Sequence, residues 1–130
     1  MVYGLSEETI RRICDVLSQH PSVEKAVLYG SRAKGTFKPG SDIDLSLYGA
    51  AITVSELGDI DSELDDLLLP YTFDLLIFDT LSHVNLREHI ERVGKILYER
   101  GAGYEAISHG DTENTEVSQQ LKSWVLSLYL

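Results

Sequence analysis

The chain has 130 residues, 43% of them hydrophobic, and 21 acidic residues against 11 basic ones leave a formal net charge of −10. At that length one small domain is expected, with enough apolar content for a buried core and without a second catalytic or recognition domain. Nucleic-acid backbones are bound by Lys and Arg that displace counterions, so this acidity argues against direct nucleic-acid binding.

No apolar stretch reaches the roughly 20 residues of a membrane span. The N-terminus, Met1-Val2-Tyr3-Gly4-Leu5-Ser6-Glu7-Glu8, lacks a basic segment followed by an apolar one, so a cytoplasmic protein is expected. The single cysteine, Cys14, fits that compartment, excludes an internal disulfide and lies on an apolar helical stripe, where it reads as buried filler.

Ser6 is placed to cap a first helix with Glu7 and Glu8 in its first turn, and Ile10, Ile13, Cys14 and Leu17 recur at helical spacing before Pro21. A strand-like run, Ala26-Val27-Leu28-Tyr29, then ends at Gly30-Ser31. Gly30 permits a sharp turn and close ligand approach. With a short helix opening over Ser31 to Lys34, the free amides of its first turn and the Ser31 hydroxyl form an anion site. Arg32 and Lys34 have two readings, additional phosphate contacts or a solvated pair on an exposed helix.

Asp42 and Asp44 stand two apart in a second strand-like run, Asp42-Ile43-Asp44-Leu45-Ser46-Leu47-Tyr48. Strand side chains alternate faces, so both carboxylates lie on one side, where hard oxygen ligands suit Mg²⁺ together with substrate phosphates. Thr53-Val54-Ser55-Glu56 has the pattern of a capping box opening a helix, with Leu57, Ile60, Leu64 and Leu67 or Leu68 on one face. Its other side carries Glu56, Asp59, Asp61, Glu63, Asp65 and Asp66, read as a solvated acidic face.

The apolar run Phe73-Asp74-Leu75-Leu76-Ile77-Phe78 encloses Asp74. An acid there is costly to bury without a cation or hydrogen-bonding partner. Asp79, at the end of the run before Thr80 and Ser82, has the alternative reading of a turn residue. Asn85-Leu86-Arg87-Glu88 opens a further helix that stops at Gly94, and Lys95-Ile96-Leu97-Tyr98 makes a final strand. His83 and His89 flank that helix start and read as surface or capping histidines.

Gly30-Ser31, ten intervening residues from Arg32 to Ser41, and Asp42-x-Asp44 together resemble the signature of the DNA polymerase β-like nucleotidyltransferase superfamily. The resemblance runs from about Ser6 to Arg100, and the small size is that of its minimal nucleotidyltransferase group. It implies an α/β (α+β) fold, a small mixed sheet flanked by helices. It also implies two Mg²⁺ ions held by Asp42, Asp44 and a third acid, Asp74 in preference to Asp79. Gly30 and Ser31 would hold the β- and γ-phosphates of ATP, while an acceptor hydroxyl, deprotonated with help from Asp74, attacks the α-phosphate and pyrophosphate leaves.

Many minimal members are encoded beside a HEPN-domain ribonuclease toxin and act as antitoxin by transferring AMP to a toxin tyrosine, which implies that partner here. Two alternatives stand beside it, an antitoxin that acts by binding alone and an enzyme that modifies a small molecule such as an antibiotic hydroxyl. Residues 1–100 are expected to form the nucleotidyltransferase domain, and residues 101–130 a linker and an amphipathic helix. Its stripe of Val117, Leu121, Trp124, Val125 and Leu128 would bind a partner or a second copy of the chain, or pack on its own domain.

Overall fold

The computed structural model describes residues 1–101; the expected linker and C-terminal helix lie outside them. Ser6 accepts the Thr9 amide at 3.1 Å and starts helix α1, Glu7–Ser18, which buries Ile13, Cys14 and Leu17 and ends at Gln19, ahead of Pro21. Strand β1, Lys25–Tyr29, leads directly into the five-residue helix α2, Gly30–Lys34, and then strand β2, Ile43–Tyr48. Helix α3, Val54–Asp65, is followed by strand β3, Phe73–Ile77, and a 3-10 turn, Phe78–Thr80. Helix α4, Val84–Val93, and strand β4, Lys95–Glu99, complete the domain.

The strands form one mixed sheet in the order β3-β2-β1-β4. β1 is antiparallel to β2 and β4, whereas β2 and β3 run parallel. Alternation then sorts the side chains. Ala26, Leu28, Ile43, Leu45, Leu47 and Leu97 point into the core beneath α1 and α3, and Val27, Tyr29 and Phe78 meet Ile90 of α4 on the opposite face. This is the expected sheet flanked by helices, with one edge strand, β3, beside the acid-bearing β2.

Three local expectations change. The capping box at Thr53 forms in one direction only: Thr53 Oγ1 accepts the Glu56 amide at 3.1 Å, while the Glu56 carboxylate turns to Ser22 and His20. His20 is held between Glu56 and Glu63 at 3.1 and 3.0 Å, so these two acids anchor α3 to the loop before β1 rather than lying on a solvated face. Helix α4 opens at Val84, one residue before Asn85, because the His83 ring accepts the Leu86 amide at 3.1 Å and acts as its cap. Leu67 packs against the core, and Leu68 is 88% exposed with a positive φ of 55°. Among the described residues no helix is long and apolar enough to cross a membrane.

Candidate active site

The turn from β1 into α2 has Gly30 at a φ of +73°, a conformation that favours glycine. A Cβ at this position would overlap Asp44 Oδ2, so the missing side chain lets the backbone of the turn lie against a carboxylate of the neighbouring strand. Register explains the meeting: Tyr29 pairs with Asp44 across β1 and β2, and Asp44 pairs with Asp74 across β2 and β3. Asp44 and Asp74 are thus cross-strand neighbours on the α4 side of the sheet. Asp42 lies one residue before β2, near enough for its charge to raise the Asp44 carboxyl.

Charge records the crowding. Burial first, then the charges of Asp74 and Asp42, push the Asp44 carboxyl up to about 6, against a smaller opposing effect of Arg32. Tyr29, alongside, has its hydroxyl pushed up by burial and by the same Asp74 and Asp44. Like charges at this spacing suit a divalent cation, and carboxylate oxygens are the donors that Mg²⁺ takes. The acids share a face without closing into a ready cage: Asp42 accepts a hydrogen bond from the Thr72 hydroxyl, and among the described residues no three His, Cys, Asp or Glu side chains are gathered as a metal cluster.

Asp74 is exposed on the edge strand. The cost of burial, one of two grounds for Asp74 beside the resemblance, therefore does not apply; its place opposite Asp44 comes from register. Asp79 lies beyond the far end of β3, accepts the Gly49 amide at 3.1 Å and lines a cavity of about 600 Å³ with Glu24, Lys25, Tyr48, Glu99 and Arg100. It serves the opposite end of the sheet from Gly30.

Arg32 and Lys34 part company. Lys34 is exposed. Arg32 is 2% exposed and donates from Nε and Nη2 to the Ser41 carbonyl at 3.2 and 2.8 Å, and from Nη1 to the Tyr3 carbonyl at 2.9 Å. It is therefore not a solvated residue, and three of its donors are engaged by backbone carbonyls. Of its surface and capping readings His89 takes the second, at α2 rather than on its own helix: Nε2 accepts the Gly30 amide at 3.2 Å, and its ring meets the Tyr29 ring edge-on. Burial and the nearby Lys34 and Arg92 hold the imidazole below its ordinary pKa, in the neutral form able to accept. Cys14 is buried, its Sγ donating to the Leu97 carbonyl at 3.3 Å, and burial pushes the thiol up to about 12, as a core filler requires.

The glycine turn lies against Asp44, which pairs in turn with Asp74 across the sheet. The family model for polymerase beta, nucleotidyltransferase, matches residues 11–102. The chain belongs to this nucleotidyltransferase family. Solved structures share the fold of this nucleotidyltransferase. A chain from a toxin–antitoxin crystal structure with AMP-PNP has a TM-score of 0.59 at 21% identity, covering 96% of each chain. A chain from the MntA–HepT toxin–antitoxin crystal structure has a TM-score of 0.57 at 17% identity, covering 95% of this chain and 96% of that one. A third, from a tri-AMPylated Shewanella oneidensis HEPN toxin in complex with MNT antitoxin, also gives 0.57 at 17% identity, with 95% and 96% covered. Identities this low establish likeness of fold. No curated protein matches the sequence.

Proposed function

We propose that this nucleotidyltransferase is a cytoplasmic, Mg²⁺-dependent enzyme that transfers AMP from ATP to a hydroxyl, the acceptor being a tyrosine of a HEPN-type toxin for which it is the antitoxin. The observation that carries the reading is the paired register of Asp44 and Asp74 on the face that ends at Gly30. Asp42, Asp44 and Asp74 would hold the Mg²⁺ ions, which when bound neutralise phosphate charge and stabilise the attacking and leaving oxygens. Gly30 and Ser31 hold the β- and γ-phosphates of the triphosphate, and His89 keeps the turn in the shape that receives them. Asp74, exposed on an edge strand, is the acid that an incoming hydroxyl reaches, and it takes the proton. Orientation and charge complementarity then carry most of the catalysis.

A macromolecular acceptor is supported by that open edge and by the net charge of −10, which complements a partner built to bind RNA. The likeness to chains from toxin–antitoxin structures, one with AMP-PNP and one with an AMPylated HEPN toxin, supports the donor and the partner. Incubating the protein with its HEPN-type neighbour, Mg²⁺ and α-labelled ATP tests the reading. Label on a toxin tyrosine is the expected result. Toxin neutralised without label, or label passing only to a small molecule, would overturn it in favour of contact inhibition or antibiotic-type modification.

A further inference from the structure

Arg32 has no direct place in the chemistry proposed above, yet its burial must be accounted for. A guanidinium removed from water is costly unless charges or hydrogen bonds replace hydration. Here the replacements are carbonyls: two donors converge on Ser41 and one on Tyr3. The fork is also flanked by the rings of Phe37 and Tyr71, 5.2 and 4.8 Å from the guanidinium carbon. Among the described residues its charge has no carboxylate at ion-pair distance.

The two ends of this clamp sit on the two halves of the site. Arg32 is the second residue after Gly30 in α2, and Ser41 is the residue before Asp42. Lys38 to Ser41 form a self-contained turn, with the Ser41 amide donating to the Lys38 carbonyl at 3.0 Å and the Lys38 amide donating to Ser41 Oγ at 2.8 Å. That turn is otherwise exposed at Lys38, Pro39 and Gly40. A bidentate fork on its last carbonyl therefore moves the turn and the head of β2 with α2.

We propose that Arg32 is a positioning residue that locks Asp42 at a set distance from the Gly30-Ser31 turn, so that divalent-ion binding depends on a side chain that touches neither ion nor nucleotide. The inference rests on the proposed role of Asp42. Lysine in its place keeps the charge and loses the planar fork, which separates geometry from electrostatics.

The test compares wild type, Arg32→Lys and, as a remote charge control at an exposed position of α1, Arg11→Ala. Mn²⁺ binding is followed by electron paramagnetic resonance and loop order by hydrogen exchange at residues 38–42. Supporting residues of a metal site are worth about 10-fold or more in affinity, so Arg32→Lys should weaken Mn²⁺ binding about 10-fold with faster exchange in that loop, and Arg11→Ala should change neither. Faster exchange with unchanged Mn²⁺ affinity would make Arg32 merely structural and overturn the proposal, as would wild-type behaviour of Arg32→Lys in both. Should that variant fail to fold, the Arg32 Nε–H resonance of the wild type decides: it should shift on titration with Mn²⁺'s diamagnetic analogue Mg²⁺, and an unmoved resonance overturns the proposal. Wild type that binds no Mn²⁺ would bring down the acid-face reading and this inference with it; binding retained in Arg32→Lys brings down the inference alone.

Discussion

Gly30 and Asp44 occupy space that only a glycine leaves free: a Cβ on Gly30 would overlap the Asp44 carboxylate, and the backbone there has a φ of +73°. Gly30→Ala therefore has two costs, strain in a left-handed conformation and displacement of an acid. A stability loss of about 1–3 kcal/mol is expected, read as a lower denaturant midpoint. AMP transfer should fall further than stability accounts for, measured under conditions where the variant remains folded.

Asp74→Asn removes one of the charges crowding Asp44. Unfolding free energy should hold within about 0.5 kcal/mol of wild type or rise, as befits an exposed residue, whereas nucleotidyl transfer should drop by about 100-fold or more. Asp79→Asn is the contrasting variant. It weakens the bond from the Gly49 amide, a loss of about 1 kcal/mol, and should leave transfer intact. Parallel melts and rate assays on the two variants distinguish the acids.

The His20 clamp predicts a pH window. Burial works against the His20 cation, but its hydrogen bonds and charges with Glu63 and Glu56 outweigh this and raise its pKa above 6.5. A raised folded pKa gives stability that is complete below the unfolded value and lost as pH rises through the folded one. Glu56, lowered from 4.5 chiefly by the Ser22 hydroxyl and also by His20, contributes above its unfolded value and loses this as pH falls through its folded one. The stability advantage of wild type over His20→Gln should thus peak between about pH 4.5 and 6.5 and shrink by pH 8.5, as chemical denaturation across that range will report.

Cys14 should resist thiol reagents. A buried thiol pushed up to about 12 offers almost no thiolate at pH 8, and the thiolate is the nucleophile. Labelling by a maleimide should be slow in the native protein and rapid in denaturant; fast native labelling would show that α1 opens from the sheet.

What could be read in advance was local. Ser6 capping α1, the glycine turn after Tyr29 and the alternation from Asp42 to Asp44 follow from neighbours along the chain. For Asp74 the burial argument does not hold, since the edge strand β3 leaves it exposed; the resemblance that places a third acid in this strand is untouched by that. Contacts across long separations were hidden. His89 reaches Gly30 over 59 positions, His20 reaches Glu56 over 36, and Arg32 turns inward because Tyr3, Phe37, Ser41 and Tyr71 converge on it. No spacing rule along the sequence reports such meetings; they arise from how helices and loops pack around the sheet.

Diffraction from crystals grown with Mn²⁺ and a non-hydrolysable ATP analogue, recorded at the manganese absorption edge, tests the central claim most directly. Anomalous peaks between the carboxylates of Asp42, Asp44 and Asp74, with the triphosphate tail on the Gly30-Ser31 amides, are the expected result. Nucleotide seated elsewhere, in the cavity beside Asp79 for example, or manganese absent from the acid face, would contradict it.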